Sequence, residues 1–421
     1  MALLLTNVSN ALNKIILPYI QDNFNKQTIL LDQLKRNTGV TFMNDNFYAP
    51  VRTSRHGGVT NLANDGNVLV SGKASLGQAY VGVKIITGTF DISKLTLDAT
   101  RTSKGAVENQ LTFQASTLAS DFAKSVNRQY YSDGYGVIAE EKGSVSATTM
   151  SVQLPTNLGA QTQDTRLLEC DGTINGDIGP TDYIQPGMIL GVGSAAGSGT
   201  AVVSAVLSAT AISFTTTMDA DFIGSAPIHI VDGSGGGAGT SEIQGMKLAL
   251  SSSTGTSEYA HVARSVHGWT PQIGTTAGAL TISAIEQQYL AAKKYAQMGD
   301  QYAIFVNTTL YKKYGDLLTA MRRVVNETEL LGGWTGLEFA AGAGKVGVFL
   351  DYDVPDGEVF IVNLDSWTIC QVSDLGWLED VREGALFRRP DYITYQATMA
   401  WFTNLICRAP AANGHLTQKT A

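Results

Sequence analysis

Between Ser103 and Tyr131 the residues Val107, Leu111, Ala115, Leu118, Phe122 and Val126 recur at steps of four, four, three, four and four. That spacing sets them in one stripe along an α-helix. Ser103 is suited to cap its start, and Asp133-Gly134 to end it. At about 1.5 Å per residue the helix runs around 40 Å, longer than the average globular helix. A rod of that length argues for a plate-like body and against a sphere.

Its neighbours in sequence are also extended. From Arg55 to Ile92 the chain reads as a long hairpin, punctuated by Gly57-Gly58 and Asp65-Gly66. Ala79, Val81, Val83 and Ile85 alternate with Tyr80, Gly82, Lys84 and Ile86 before Thr87, Thr89 and Asp91. Its tip, Thr60 to Gln78, has few large apolar residues, and such a hairpin alone is marginal in water. It is therefore either mobile or held by another molecule. Ahead of it, Val8, Leu12, Ile15, Ile16, Tyr19 and Phe24, with Leu30, Leu31 and Leu34, carry helical spacing to Asn37, and Pro18 kinks the pattern. That segment is either an arm that docks on the body or a neighbour, or a helix of the chain's own core. Near the other end, Tyr392 to Cys407 alternates Tyr395, Ala397, Met399, Trp401, Leu405 and Cys407 with Thr394, Gln396, Thr398 and Asn404. At about 3.3 Å per residue this predicts a strand of some 50 Å.

Residues 143–239 read as a self-contained insert, with no lysine between Lys142 and Lys247. Short β runs at Ser151–Leu154, Tyr183–Leu190, Ala201–Leu207, Ala211–Thr216 and Ile228–Val231 predict a small β-barrel or sandwich, left through a Gly-rich linker at Gly233–Gly239. Beyond it the pattern predicts helices over Ile282–Met298 and Thr309–Val325. Strands are expected at Tyr302–Val306, Lys345–Leu350 and Val359–Leu364.

With 421 residues the chain exceeds one ordinary core, and about two or three domains are expected. Charged residues are 16% of the chain, against roughly 25% in ordinary soluble proteins. A surface so poor in charge fits a chain that covers much of itself with copies of itself. The net charge of -8 excludes a protein built to grip phosphates, and the basic residues at Arg322-Arg323 and Arg388-Arg389 are only doublets. Cys170, Cys370 and Cys407 lie far apart without a CxxC, so free, packed thiols are expected. Met1–Leu5 lacks the flanks and length of a signal peptide, and no apolar run is long enough to cross a membrane.

Enzyme signatures fail on inspection. Gly342-Ala343-Gly344-Lys345 resembles the end of a phosphate loop, but Val346 stands in place of Ser or Thr and Phe339 in place of the first glycine. His261 and His267 lie six apart in a polar stretch without further metal ligands, and surface or turn histidines are the better reading. Asp351, Asp353 and Asp356 crowd a turn with Pro355 and Gly357 but lack calcium-loop spacing, and a solvated turn is expected. No catalytic residue, cofactor or metal site is predicted.

The order of parts, arm, hairpin, long helix, inserted β module, α/β body and long terminal strand, resembles the Hong Kong 97-type major capsid protein of tailed double-stranded DNA phages. Arg55-His56-Gly57-Gly58-Val59 with the hairpin looks like that family's E-loop. Asp121 and the run Asn127 to Gly136 look like the end of its spine helix. Glu242 to Met246, the runs Asn326-Glu327-Thr328 and Leu331 to Leu337, and Gly376-Trp377-Leu378 leading into Tyr392–Tyr395 are similar to stretches of related coat proteins.

The resemblance implies an α+β Hong Kong 97-like fold. Residues 1–50 would be an N-terminal arm, 51–92 the E-loop, 93–135 and 376–421 a peripheral domain, 136–142 and 240–375 an axial domain, and 143–239 an inserted all-β domain. It also implies inter-subunit contacts through Val8, Leu12, Ile15, Tyr19, Phe24, Arg55, Asp65, Lys73, Tyr80 and Lys84. The implied function is self-assembly into pentamers and hexamers of an icosahedral shell around phage DNA, bound without sequence preference. Scaffolding, portal and decoration proteins would be partners, and assembly would occur in the host cytoplasm before the chain becomes part of the virion. Some relatives cross-link through an E-loop lysine; Lys73 is the lysine near the tip, and its partner is not identifiable. Some also carry a cleaved scaffolding segment, and because the arm begins within ten residues, scaffolding would be separate or already removed. The alternatives are an encapsulin-like nanocompartment shell and a carbohydrate-binding tail or adhesin protein.

Overall fold

A computed structural model describes residues 29–95, 104–153, 181–192, 200–215, 227–230, 242–251, 258–320, 327–378, 386–388 and 392–420. Within those spans, residues 55, 57, 60, 62–72, 135, 147, 182, 267, 298, 330–334, 342–343 and 356 are not described. Val8, Leu12, Ile15, Tyr19 and Phe24 lie outside the described residues, as do Cys170 and the linker Gly233–Gly239.

The described chain opens with helix α1 (Ile29–Gln33) and strand β1 (Lys35–Arg36). Leu30, Leu31 and Leu34 are buried in the chain's own main core, so the end of the first segment docks on its own body. The helix stops short of Asn37 because β1 peels away to pair in parallel with Thr368 and Ile369. Asn37, at φ 48, closes the departure: its amide donates to Gln371 O and its carbonyl accepts from Gln371 N.

Strands β2 (Thr41–Met43), β3 (Asn46–Arg52) and β4 (Leu76–Gly82) form an antiparallel sheet in that order. Asn44 and Asp45, both with positive φ, make the two-residue turn between β2 and β3. Phe47 opposite Val81 and Ala49 opposite Ala79 form its buried face. Strand β5 (Lys84–Ser93) does not continue this hairpin as expected. The buried residues fall on odd numbers in β4 (Ala79, Val81) and on even numbers in β5 (Phe90, Ile92). Since alternation has a period of two, that slip at Val83 turns the chain from one sheet to another.

Helix α2 (Lys104–Tyr131) spans 28 residues. Ala115, Phe122 and Val126 of the expected stripe are buried, with Ala119 and Ala123 beside them, while the side chains of Val107 and Leu111 lie outside the described residues. The helix lies on β5 at Gly88, where a Cβ would meet Leu118 Cδ1 at 2.9 Å. It is followed by Gly134 at φ +87.

The next strands are β6 (Val137–Ser146), β7 (Thr149–Gln153), β8 (Ile189–Val192), β9 (Thr200–Ser208), β10 (Ala211–Phe214) and β11 (Pro227–Ile230). They close a barrel in the order β10-β7-β6-β11-β8-β9. Ile138, Met150, Val152, Leu190, Val203 and Ile228 are among its core residues. Residues 137–142, expected in the α/β body, are barrel strand. Glu140 and Glu141 of this strand are both buried. Tyr183–Leu190 is mostly turn, since Pro186 and Gly187 (φ +90) interrupt it, and the strand begins only at Ile189.

After the barrel come α3 (Met246–Leu250), β12 (Glu258–Tyr259), β13 (Val262–Ala263), β14 (Gln272–Gly274), β15 (Gly278–Ala279) and α4 (Ile282–Lys293). Thr281 caps α4 by accepting from Ala284 N. This helix ends at Lys293, before the expected Met298; the chain then turns, and Gly299 has φ +141. Next are β16 (Tyr302–Val306), α5 (Thr308–Ala320), β17 (Glu327–Glu329), β18 (Thr335–Ala341), β19 (Gly344–Leu350) and β20 (Val359–Asn363). Strands β16 and β20 are buried along their whole length, as their unbroken apolar runs require. The phosphate-loop look-alike is the start of β19, where Gly344 pairs with Ala341 of β18.

The chain closes with β21 (Trp367–Gln371), β22 (Gly376–Trp377), β23 (Leu386–Arg388), β24 (Thr394–Cys407), β25 (Gly414–Leu416) and β26 (Lys419–Thr420). A seven-stranded sheet runs β14-β25-β20-β16-β19-β18-β17. A second sheet is organised on β24, which pairs with β21, β22, β23 and, over ten residue pairs, β5. The expected alternation of β24 does not separate core from solvent. Thr398 and Asn404 of its polar face are buried too, and Asn404 donates to Gly82 O (2.6 Å) and accepts from Gln244 N, while Thr403 on the apolar face donates to Cys370 O (2.8 Å).

Candidate functional site

Of the ten expected contact residues, Lys73, Tyr80 and Lys84 are described; Arg55 and Asp65 lie outside the described residues with the five from the first segment. Lys73 is exposed beside the start of β4. Tyr80 is half-buried in β4 and stacks on His261 at 3.9 Å between ring centroids and 5° between planes. Lys84 is half-buried at the start of β5, where burial lowers its pKa. The three do not converge on one site. His261, read as a surface or turn residue, sits at φ 61 and contributes its ring to the hairpin base. Its expected neighbour His267 lies outside the described residues, among which no group of three or more metal-ligating side chains gathers.

Several large apolar side chains are exposed on the neighbouring strands. Phe42, Met43 and Leu76 are exposed on the hairpin sheet, Leu76 by 78%. Leu95, Tyr392 and Ile393 are exposed at the far end of the β5–β24 pair, where Lys94 N donates to Ile393 O. Single exposed apolar residues are ordinary, whereas large contiguous apolar patches are commonly binding surfaces. Beneath the hairpin base a cavity of about 400 Å³ is lined by residues that include Pro50, Arg52, Leu76, Trp269, Tyr295 and Arg408.

Two buried polar clusters escaped the sequence reading. The first overturns the solvated turn expected at Asp351 and Asp353. Asp351 is buried, and Asp353 half-buried, against the end of α2. Asn127 Nδ2 donates to both: 3.0 and 3.3 Å to the Asp351 oxygens, 2.7 Å to Asp353 Oδ2. Tyr131 OH donates to Asp351 Oδ2 (2.9 Å), and Tyr183 OH, from the chain leading into β8, donates to Asp353 Oδ1 (2.6 Å). Burial, reinforced by Asp353, pushes the Asp351 carboxyl up to about 6. Next to them Arg128 is paired with Glu242; burial works against its charge, and Glu242, with Tyr183 and Asp353, more than offsets that. Asp356 lies outside the described residues.

The second cluster is Lys247, Glu358 and His415, each almost wholly buried. Lys247 Nζ pairs with Glu358 Oε1, and His415 Nε2 lies 3.1 Å from Glu358 Oε2. Burial raises the Glu358 pKa, but Lys247 and His415 outweigh it and hold the carboxyl below its ordinary range. Cys370 and Cys407 are free thiols, pushed up to about 12 by burial. The signal that could have found the first cluster is Asn127 and Tyr131, four apart and polar on the inner side of a long helix. No local signal marked the second.

No protein-family profile and no curated protein matches the chain. Its fold does match. Over 93% of this chain and 92% of the other, the structure is similar to one titled "Cyanophage A-1(L) capsid asymmetric unit", with a TM-score of 0.52 at 12% identity. The capsid of the native GTA particle aligns over 93% and 90% (TM-score 0.43, 10% identity). Mycobacterium phage Bobi does so over 93% and 90% (TM-score 0.41, 8% identity). The chain thus shares the mixed α+β fold of that cyanophage capsid structure.

Proposed function

We propose that this chain is the major capsid protein of a tailed double-stranded DNA phage, assembling through pentamers and hexamers into an icosahedral shell. The observation that carries the reading is the likeness to a cyanophage capsid chain along nearly the whole length. The exposed apolar residues at the hairpin and at the β5–β24 tip support it, because a lattice of copies would cover them. In this reading residues 1–50 are the arm, 51–92 the E-loop, 93–135 with 376–421 the peripheral domain, and 240–375 the axial domain. Residues 137–230 hold the inserted barrel.

Obligate interfaces of this kind bury about 2,000 Å² or more, and heterologous contacts that close generate rings. Scaffolding, portal and decoration proteins are the expected partners, and the enclosed DNA is held without sequence readout. The chain's role is structural, with assembly in the host cytoplasm and residence in the virion. Negative-stain microscopy of the expressed chain, with and without scaffolding protein, tests this: rings or shells are expected. A monodisperse monomer at high concentration, with the hairpin protected from proteolysis, overturns it. DNA inside particles from infected cells is expected; packaged enzyme would favour a nanocompartment.

A further inference from the structure

The turn after β19, the end of α2 and the chain entering β8 meet at Asp351 and Asp353, and the hydrogens available there do not match the acceptors. Asn127 offers two amide hydrogens to three carboxylate oxygens within 3.3 Å. The other donors are neutral: Tyr131 OH, Tyr183 OH and the backbone N–H of Asp353, which donates to Asp351 Oδ1 at 3.0 Å. Among the described residues no cation bonds either carboxylate. Arg128 of α2, whose field reaches Asp353, is paired with Glu242 of the chain returning from the barrel. Lys124 of α2 lies over the Tyr183 ring, 5.3 Å from its centroid. Two carboxylates sharing one buried amide cannot both ionise without strong repulsion. Asn127 Oδ1 is buried and accepts no bond, so a carboxylic O–H on the pair would find an acceptor there once the amide turned over.

Tyr183 also packs against the barrel core, so its bond to Asp353 joins barrel to body. We propose that Asp351 and Asp353 form a proton-gated latch, which holds the barrel against the body while the pair shares a proton and loosens when both carboxyls ionise. This goes beyond the assembly reading and does not depend on it. Because Asp351 is shifted upward, the docked form takes up the proton more readily than the loosened form. The latch is therefore strongest below the ordinary aspartate range and is lost as pH climbs through about 6. His229 of β11, facing Glu242, has the opposite sign: burial holds its pKa down, so charging it in acid opposes the fold.

Hydrogen exchange of the full chain, corrected for the intrinsic pH dependence of exchange, tests the latch. Protection across residues 181–190 should fall about tenfold between about pH 5 and pH 7.5, while Tyr302–Val306 keeps its protection. Asp351→Asn should flatten that dependence, and Tyr183→Phe should leave the segment weakly protected at both pH values. If Asp351→Asn does not fold, Asp353→Asn serves the same end. Equal wild-type protection at the two pH values overturns the proposal, as does an unchanged pH dependence in the asparagine variant.

Discussion

Asp351 and Glu358 stand at the two ends of one turn, between β19 and β20, and both are buried. Their fates differ. Glu358 faces the Lys247 ammonium and the His415 imidazole and is held ionised against the cost of burial. Asp351 faces another carboxylate and neutral donors, and is pushed toward its protonated form. Burial sets the cost of a charge in both places, and the sign of the facing groups decides which way the proton goes. One end of the turn is thereby a fixed cross-tie between α3, β20 and β25, and the other is adjustable.

The contrast breaks first at Lys247. Lys247→Met strands Glu358 in the core and should lower stability by about 3–5 kcal/mol, read as a fall in the urea midpoint. Adding Glu358→Leu should recover most of it, since a matched apolar replacement of a buried ion pair is often neutral. In the unaltered chain the Glu358 contribution is present at neutral pH. It is lost as pH falls through its lowered pKa, the reverse of Asp351. Tyr131→Phe keeps the ring packing on Phe305 and Phe360 but removes the hydroxyl from Asp351. It should cost about 1.5 kcal/mol at pH 7, measured by the same denaturation. An equal loss from both substitutions would erase the distinction.

Two smaller effects sharpen it. In a Cys170→Ser chain, Cys370 and Cys407 should resist a maleimide at pH 8, their thiols being buried and pushed up to about 12. Rapid labelling after Lys247→Met, but not after Tyr131→Phe, would show that only the fixed end secures that core. Leu76→Asp, on the exposed side of β4, should change folding stability by no more than about 0.5 kcal/mol while abolishing particles in sedimentation.

Elements with strong local period were legible in the sequence. The stripe of α2 and the unbroken run Tyr302–Val306 were both read, the latter with its observed bounds. The break between β4 and β5 was present in the sequence as a change of parity from Val81 to Phe90, but a long polar and apolar alternation masked it. The barrel's first strand was assigned to the body because the insert was bounded by its lysine-free stretch after Lys142, and only the closed barrel turns Glu140 and Glu141 inward. The aspartates after β19 sit in a Pro-Gly turn context, and what buries them is Asn127 and Tyr131, more than two hundred residues away. The exposed apolar residues were the least legible. Exposure at Leu76 or Ile393 follows from how strands end in space, and their sequences look like any edge strand.

The ten residue pairs between β5 and β24 have a mechanical consequence. The hairpin strand β4 runs into β5 through the single residue Val83, so a lengthwise tug on the hairpin passes straight into that ladder. Pulled along the strand axis, its hydrogen bonds resist together in shear and do not open one at a time. The hairpin is in this way tethered to the 14-residue strand β24.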